Sequence, residues 1–153
     1  MPAVCNKWRL ATPPLRSLVS FLEGFSEFMA QLIANHPDEL GPPFREAWFV
    51  QEQRIATVIQ ALSEDPDDTR FEPAGLTGEE LELKVSVFEA ARAAYNDDPS
   101  PPRAKDVLEA SDITLGSLSL FFPVLHGVEE MKKIAEYLLD RGSDWVKRWL
   151  WPF

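Results

Sequence analysis

Between Leu15 and Ile33, the residues Leu15, Leu18, Leu22, Phe25, Met29 and Leu32 recur at alternating spacings of three and four. At 3.6 residues per turn, such positions fall on one side of a helix and form an apolar seam. Val19, Phe21, Phe28 and Ile33 border the seam and make it wider than the narrow stripe of a two-stranded coil. So wide an apolar surface needs neighbours on two sides. The expectation is a central member of a bundle, and with it an all-α fold.

The rest of the chain supplies those neighbours. Residues 1–14 contain Cys5, Trp8 and the Pro13-Pro14 pair and have no helical period, so they read as an extended arm before a bundle domain spanning 15–153. The seam helix should stop near Asn35-His36-Pro37, because a residue preceding proline avoids the α region. A second helix is expected over 44–62, with Phe44, Trp48, Ile55, Ile59 and Leu62 inward. Its polar interruption at Gln51, Glu52, Gln53 and Arg54 suits a solvated face or, alternatively, the wall of a cleft. An acidic loop at 63–77 follows. Thr77-Gly78-Glu79-Glu80 then has the form of a capping box opening a third helix to about Tyr95. Leu81, Val85, Phe88, Ala91 and Tyr95 make one stripe on this helix, and Leu83, Val87, Ala90 and Ala94 a second, which implies burial on both sides.

After the proline-rich turn at 96–102, Ser100 is placed to cap a short helix carrying Val107 and Leu108. The segment from Ile113 to Val128 has no formal charge and is broken by Pro123. It is too short for a straight membrane span, which takes about 20 residues. It reads as a buried helix, a proline break and a further helix, with a membrane-interfacial or partner-binding hairpin as the alternative. The last long helix is expected over 124–139, with Leu125, Val128, Met131, Ile134, Ala135 and Leu138 inward and ion pairs on its outer face. Arg141-Gly142 should end it, and Ser143 should cap a short aromatic helix over 143–153. The count comes to five or six helices.

Charge narrows the functional classes. The chain carries 25 acidic and 15 basic residues, for a net charge of −10. The imbalance is local: residues 61–100 hold 11 acids against 3 bases, whereas Lys7, Arg9 and Arg16 sit in an N-terminal stretch without any acid. No continuous basic stripe is available for phosphates, so nucleic acid is not an expected partner. The lone Cys5 allows no intrachain disulfide and no cysteine-rich metal site. Glu23 and Glu27 break the apolar run that starts at Leu18, which argues against a secretory signal and for a cytoplasmic protein, with the basic first residues leaving an organelle-targeting alternative.

Catalytic machinery is not legible in the sequence. A carboxylate-bridged metal pair in a bundle needs Glu-x-x-His on two helices, but Ile33 and Pro123 stand three residues before His36 and His126. The acids at 64–72 lack the alternation and central glycine of a calcium loop. No glycine loop for phosphate and no nucleophile motif occurs. His126 reads best as a buried neutral imidazole on a backbone carbonyl. Neither a metal nor a cofactor is expected.

Two surfaces are therefore the candidate sites. One is acidic, represented by Asp65, Asp67, Asp68 and Glu72. The other is the aromatic, basic terminus with Trp145, Trp149, Trp151 and Phe153. Together they point to a non-catalytic interaction module, such as an adaptor, an inhibitor or immunity protein, or an assembly subunit. Its partner would be another protein with a basic surface, or a second copy of itself. A peripheral membrane protein using 113–128 and the terminus, and a ligand-binding bundle or enzyme using Gln51–Arg54 and His126, are the alternatives.

Overall fold

The computed structural model describes residues 2–64 and 78–150, with the side chains of 16–64 and 78–140. The elements are α1 (Pro2–Asn35), α2 (Pro42–Glu64), α3 (Gly78–Asp97), α4 (Pro101–Phe121), a 3₁₀ turn at Pro123–Leu125, and α5 (His126–Leu150). The described residues contain no strand, and the fold is an all-α bundle.

The width of the α1 seam has the expected result. Phe21, Leu22, Phe25, Phe28, Met29 and Leu32 are completely buried, and α1 packs on both α2 and α3. Its aromatic rings face both ways: Phe25 meets Trp48 of α2 edge-on at 6.1 Å, while Phe21 meets Phe88 at 4.9 Å and Phe28 meets Tyr95 at 5.3 Å, both on α3. Edge-to-face contacts of this kind add about 0.5–1.5 kcal/mol each to the burial of the rings. Beyond α1 the circuit continues, α3 packing on α4, α4 on α5, and α5 on α2. Each helix therefore closes the core for its neighbours.

Two glycines mark the closest approaches. A Cβ on Gly24 would lie 2.9 Å from Glu89 Oε1 and 3.2 Å from Phe88 Cε2. The space left by the missing side chain lets Arg92 of α3 donate to the Gly24 carbonyl at 3.1 Å and to Glu27 Oε2 at 3.1 Å. At Gly127, a Cβ would come within 2.6 Å of Gln51 Oε1, so the first turn of α5 lies directly on α2.

Several boundaries differ from expectation. The backbone of 2–14 is helical and continuous with α1, where an extended arm was expected. Residues 3–12 contain no glycine or proline, but Pro13 and Pro14 give no N–H to the helix that runs through them, so propensity explains its first turns and not its continuity. The short helix and the uncharged segment as far as Phe121 are one helix, α4, with prolines at its first positions. Ser100 is its N-cap by position, but its side chain makes no capping hydrogen bond. The proline break falls as expected: Phe122 N–H closes α4 on Leu118 O at 2.9 Å, and Pro123 opens the 3₁₀ turn. α5 runs through Arg141-Gly142 to Leu150 without the expected stop. Glycine permits a C-cap but does not impose one.

Candidate functional site

The third helix carries the least expected surface. Leu81, Val85, Phe88 and Tyr95 form its buried face, as their spacing requires. The second stripe is not covered: Leu83 is 63% exposed, Val87 51%, and Ala90 is exposed beside them. Helical spacing puts Glu79 and Asp97 at the two ends of this stripe and Glu82 along its side, all three exposed. Only one flank of α3 is needed to close the bundle, so the two-sided burial expected from its pattern does not occur. The result is an apolar strip whose margin is acidic except at half-buried Lys84, which lies beside Leu83 and Val87.

A groove of about 580 Å³ lies between the end of α1 and the start of α2. Its walls are Ala30, Ile33, Ala34 and Pro37 on one side and Trp48 and Phe49 on the other, with Arg45, Glu46 and Glu52 at the rim. Ala30 and Ala34 are small enough to leave the depression open, and Phe49 stands 62% exposed at its edge. The Trp48 indole N–H is buried and has no acceptor among the described residues. Of the polar run on α2, Glu52 thus reaches a cleft, Gln51 packs on Gly127, and Gln53 and Arg54 face solvent.

Beside this groove, His36 and Tyr95 join the end of α1 to the end of α3. Asn35 Nδ2 donates to the Tyr95 hydroxyl at 3.1 Å, and that hydroxyl lies 3.0 Å from His36 Nε2. One hydrogen bond joins the Tyr95 hydroxyl to Nε2, and Nδ1 of the same ring faces Glu39 Oε2 at 3.8 Å. Burial lowers the His36 pKa from its usual value, and Glu39 opposes that shift. Burial raises that of Tyr95, against the hydrogen bond from Asn35. The order hydroxyl, imidazole, carboxylate is that of a nucleophile with its base. Tyr95 has no exposed surface, however, so no substrate reaches its oxygen. The cluster holds two helix ends together.

The interface of α4 with α5 contains a buried cation. Lys132 is only 3% exposed and donates to Asp112 of α4 and, at 2.9 Å, to Glu136 one turn along α5. Burial works to lower its pKa, but the hydrogen bonds and charges of Asp112 and Glu136 outweigh it and the net shift is upward. Lys132 was expected on the outer face, with Ile134 inward. Instead Ile134 is exposed and Leu139 is buried. Val128, Met131, Ala135 and Leu139 make the buried stripe at spacings of three and four, and Lys132 lies beside it against Asp112 of α4. His126 is likewise on the surface, with Nδ1 3.3 Å from Glu129 Oε1, rather than buried on a carbonyl.

The uncharged segment is divided between core and surface. Leu115, Leu118, Leu125 and Val128 are buried, while Leu120, Phe121, Pro123 and Val124 form an exposed apolar rim around the proline break. No described helix is long and apolar enough to cross a membrane. Among the described residues no cluster of three or more His, Cys, Asp or Glu is arranged to hold a metal ion. Asp65, Asp67, Asp68 and Glu72 lie outside the described residues, as do the side chains of Trp145 and Trp149 and the whole of Trp151 and Phe153. The acidic margin of α3 belongs to the same acidic region of sequence, 61–100, and was not singled out from it. The signal was present in the second stripe, which spacing identified and whose exposure it could not show. No protein-family model, curated protein or solved structure matches the chain.

Proposed function

We propose that the chain is a non-catalytic helical module that docks on another protein, with α3 as its docking helix and a basic, amphipathic helix of the partner as the complement. The supporting observation is the pair Leu83 and Val87, exposed in line on a helix whose margin is acidic. A single exposed leucine is ordinary on a protein surface, whereas an aligned apolar strip rimmed by charge has the composition of a recognition surface. The acids of region 61–100 supply orientation and a faster encounter with a cationic partner. The strip supplies apolar area for the i, i+3, i+4 anchors of a helix laid along it.

The test is titration of the chain with a helical peptide of alternating Leu and Lys character. The expected result is saturable binding that weakens as salt is raised past the point where the screening length falls below about 10 Å. The pair Leu83→Glu and Val87→Glu should weaken it at least about tenfold, equal to about 1.4 kcal/mol, with helicity and melting unchanged. Equal binding by that variant overturns the proposal.

The groove between α1 and α2 favours a second reading as a ligand-binding bundle. Its volume lies within the roughly 300–1,000 Å³ of small-molecule sites, and its walls are mostly apolar. A thermal-shift screen of aromatic and aliphatic metabolites tests it. Hits that disappear in Ala34→Leu, which fills the depression, would support this reading, and a screen without hits removes it.

A further inference from the structure

We infer that the acid-margined strip of α3 seats the C-terminal segment of a second copy of this chain, so that copies join head to tail. This rests on the docking reading of α3 and names its occupant. The argument begins with chemistry. Residues 141–153 carry Arg141, Lys147 and Arg148 against the single acid Asp144, together with Trp145, Trp149, Trp151 and Phe153. The α3 strip offers the opposite set: Leu83 and Val87 exposed, with Glu79, Glu82 and Asp97 around them. Aromatic residues beside cations are the side chains enriched where protein surfaces bind, and an acidic margin is their electrostatic complement.

Topology favours a second copy as the source of the segment. Among the described residues α5 packs on α4 and α2, whereas α3 packs on α1 and α4. The described parts of α3 and α5 thus share no extensive contact, and the strip of α3 points away from the bundle. The outer side of α5 has the same character before the terminus: Ile134 is 48% exposed beside exposed Lys133. Net charge opposes self-association, since each copy carries −10. That repulsion acts between whole molecules and is screened beyond about 10 Å in ordinary salt, whereas the complementary charges meet at contact.

Such an interface joins two different patches. Each copy has one of each, so association builds rings or open chains and does not stop at a symmetric dimer. The experiment uses this asymmetry. One full-length variant carries Leu83→Glu and Val87→Glu; the other carries Trp145→Ala, Trp149→Ala, Lys147→Glu and Arg148→Glu. Sedimentation velocity is recorded for the wild type, for each variant and for their equimolar mixture. The expected result is wild-type species larger than a dimer at high concentration and monomers for each variant alone. The mixture should give a dimer and nothing larger, because only one complementary pair of patches survives. Circular dichroism establishes that both variants remain helical, and Leu83→Gln with Val87→Gln replaces the first if it does not. A wild type that stays monomeric, variants that associate as the wild type does, or a mixture without dimer each overturns the inference. If those failures occur while Leu83→Glu and Val87→Glu still abolish binding of the basic peptide, the docking reading of α3 stands with a different occupant.

Discussion

Tyr95 has no exposed surface and still carries a hydroxyl, which is stable only because Asn35 and His36 satisfy it. Removing that oxygen leaves the buried His36 Nε2 against a ring edge, while exposed Asn35 can turn to water. Tyr95→Phe is therefore expected to cost about 1–3 kcal/mol in urea denaturation, more than an ordinary hydrogen bond contributes. His36 adds a pH dependence whose sign follows from its environment. Its pKa is lowered by folding, so the unfolded chain takes up the proton first as pH falls. Its contribution to stability is complete above the unfolded value of 6.5 and is lost progressively below it, toward the lower folded pKa. The denaturation midpoint should fall between about pH 7 and about pH 5, and His36→Gln should flatten that slope. Equal slopes for the two chains would refute this role for His36. None of this was legible in the sequence, because Asn35-His36-Pro37 reads as a helix stop, and only the fold brings Tyr95 to it.

Individual elements show where apolar spacing is sufficient and where charge modifies it. The seam of α1 was legible residue by residue, since nothing on that face competes with burial. Over 124–139 Leu125, Val128, Met131 and Ala135 are inward as expected, whereas Lys132 turns inward to Asp112 and Ile134 lies on the surface. Lys132→Met keeps much of the buried stem but removes the charge, and it should destabilise the chain less than Lys132→Ala, which also opens a cavity. The order of the two midpoints in chemical denaturation checks this, and the reverse order would mean that packing of the Lys132 stem contributes nothing to the α4–α5 contact. Gly24 shows two opposing terms at the crossing of α1 and α3. Alanine there gains about 1 kcal/mol of helix propensity and meets the flexible end of Glu89, so Gly24→Ala should be close to neutral in thermal melting. Gly24→Leu has to displace the Phe88 ring and Arg92 as well and should lose about 1–3 kcal/mol.

Across the molecule, the polarity of charge and the helical architecture were legible early, while the assignment of surfaces was not. Spacing found both stripes of α3 but could not tell the covered one from the open one. That depends on how many neighbours each helix acquires, and the circuit α1, α2, α5, α4, α3 gives each helix only a limited arc of cover. The same circuit shares the interior among distant parts of the sequence. Phe25 meets Trp48 of α2 and Phe88 of α3, and Phe21 and Phe28 meet Phe88 and Tyr95 of α3, although α2 and α3 are separated in the chain by residues 65–77. A break in that connection would therefore not release two independent bodies. Co-expressed pieces ending and beginning within 65–77 are expected to purify as one non-covalent complex, because the first piece alone leaves Phe21 and Phe28 wet and the second has nothing to lay against Phe88 and Tyr95.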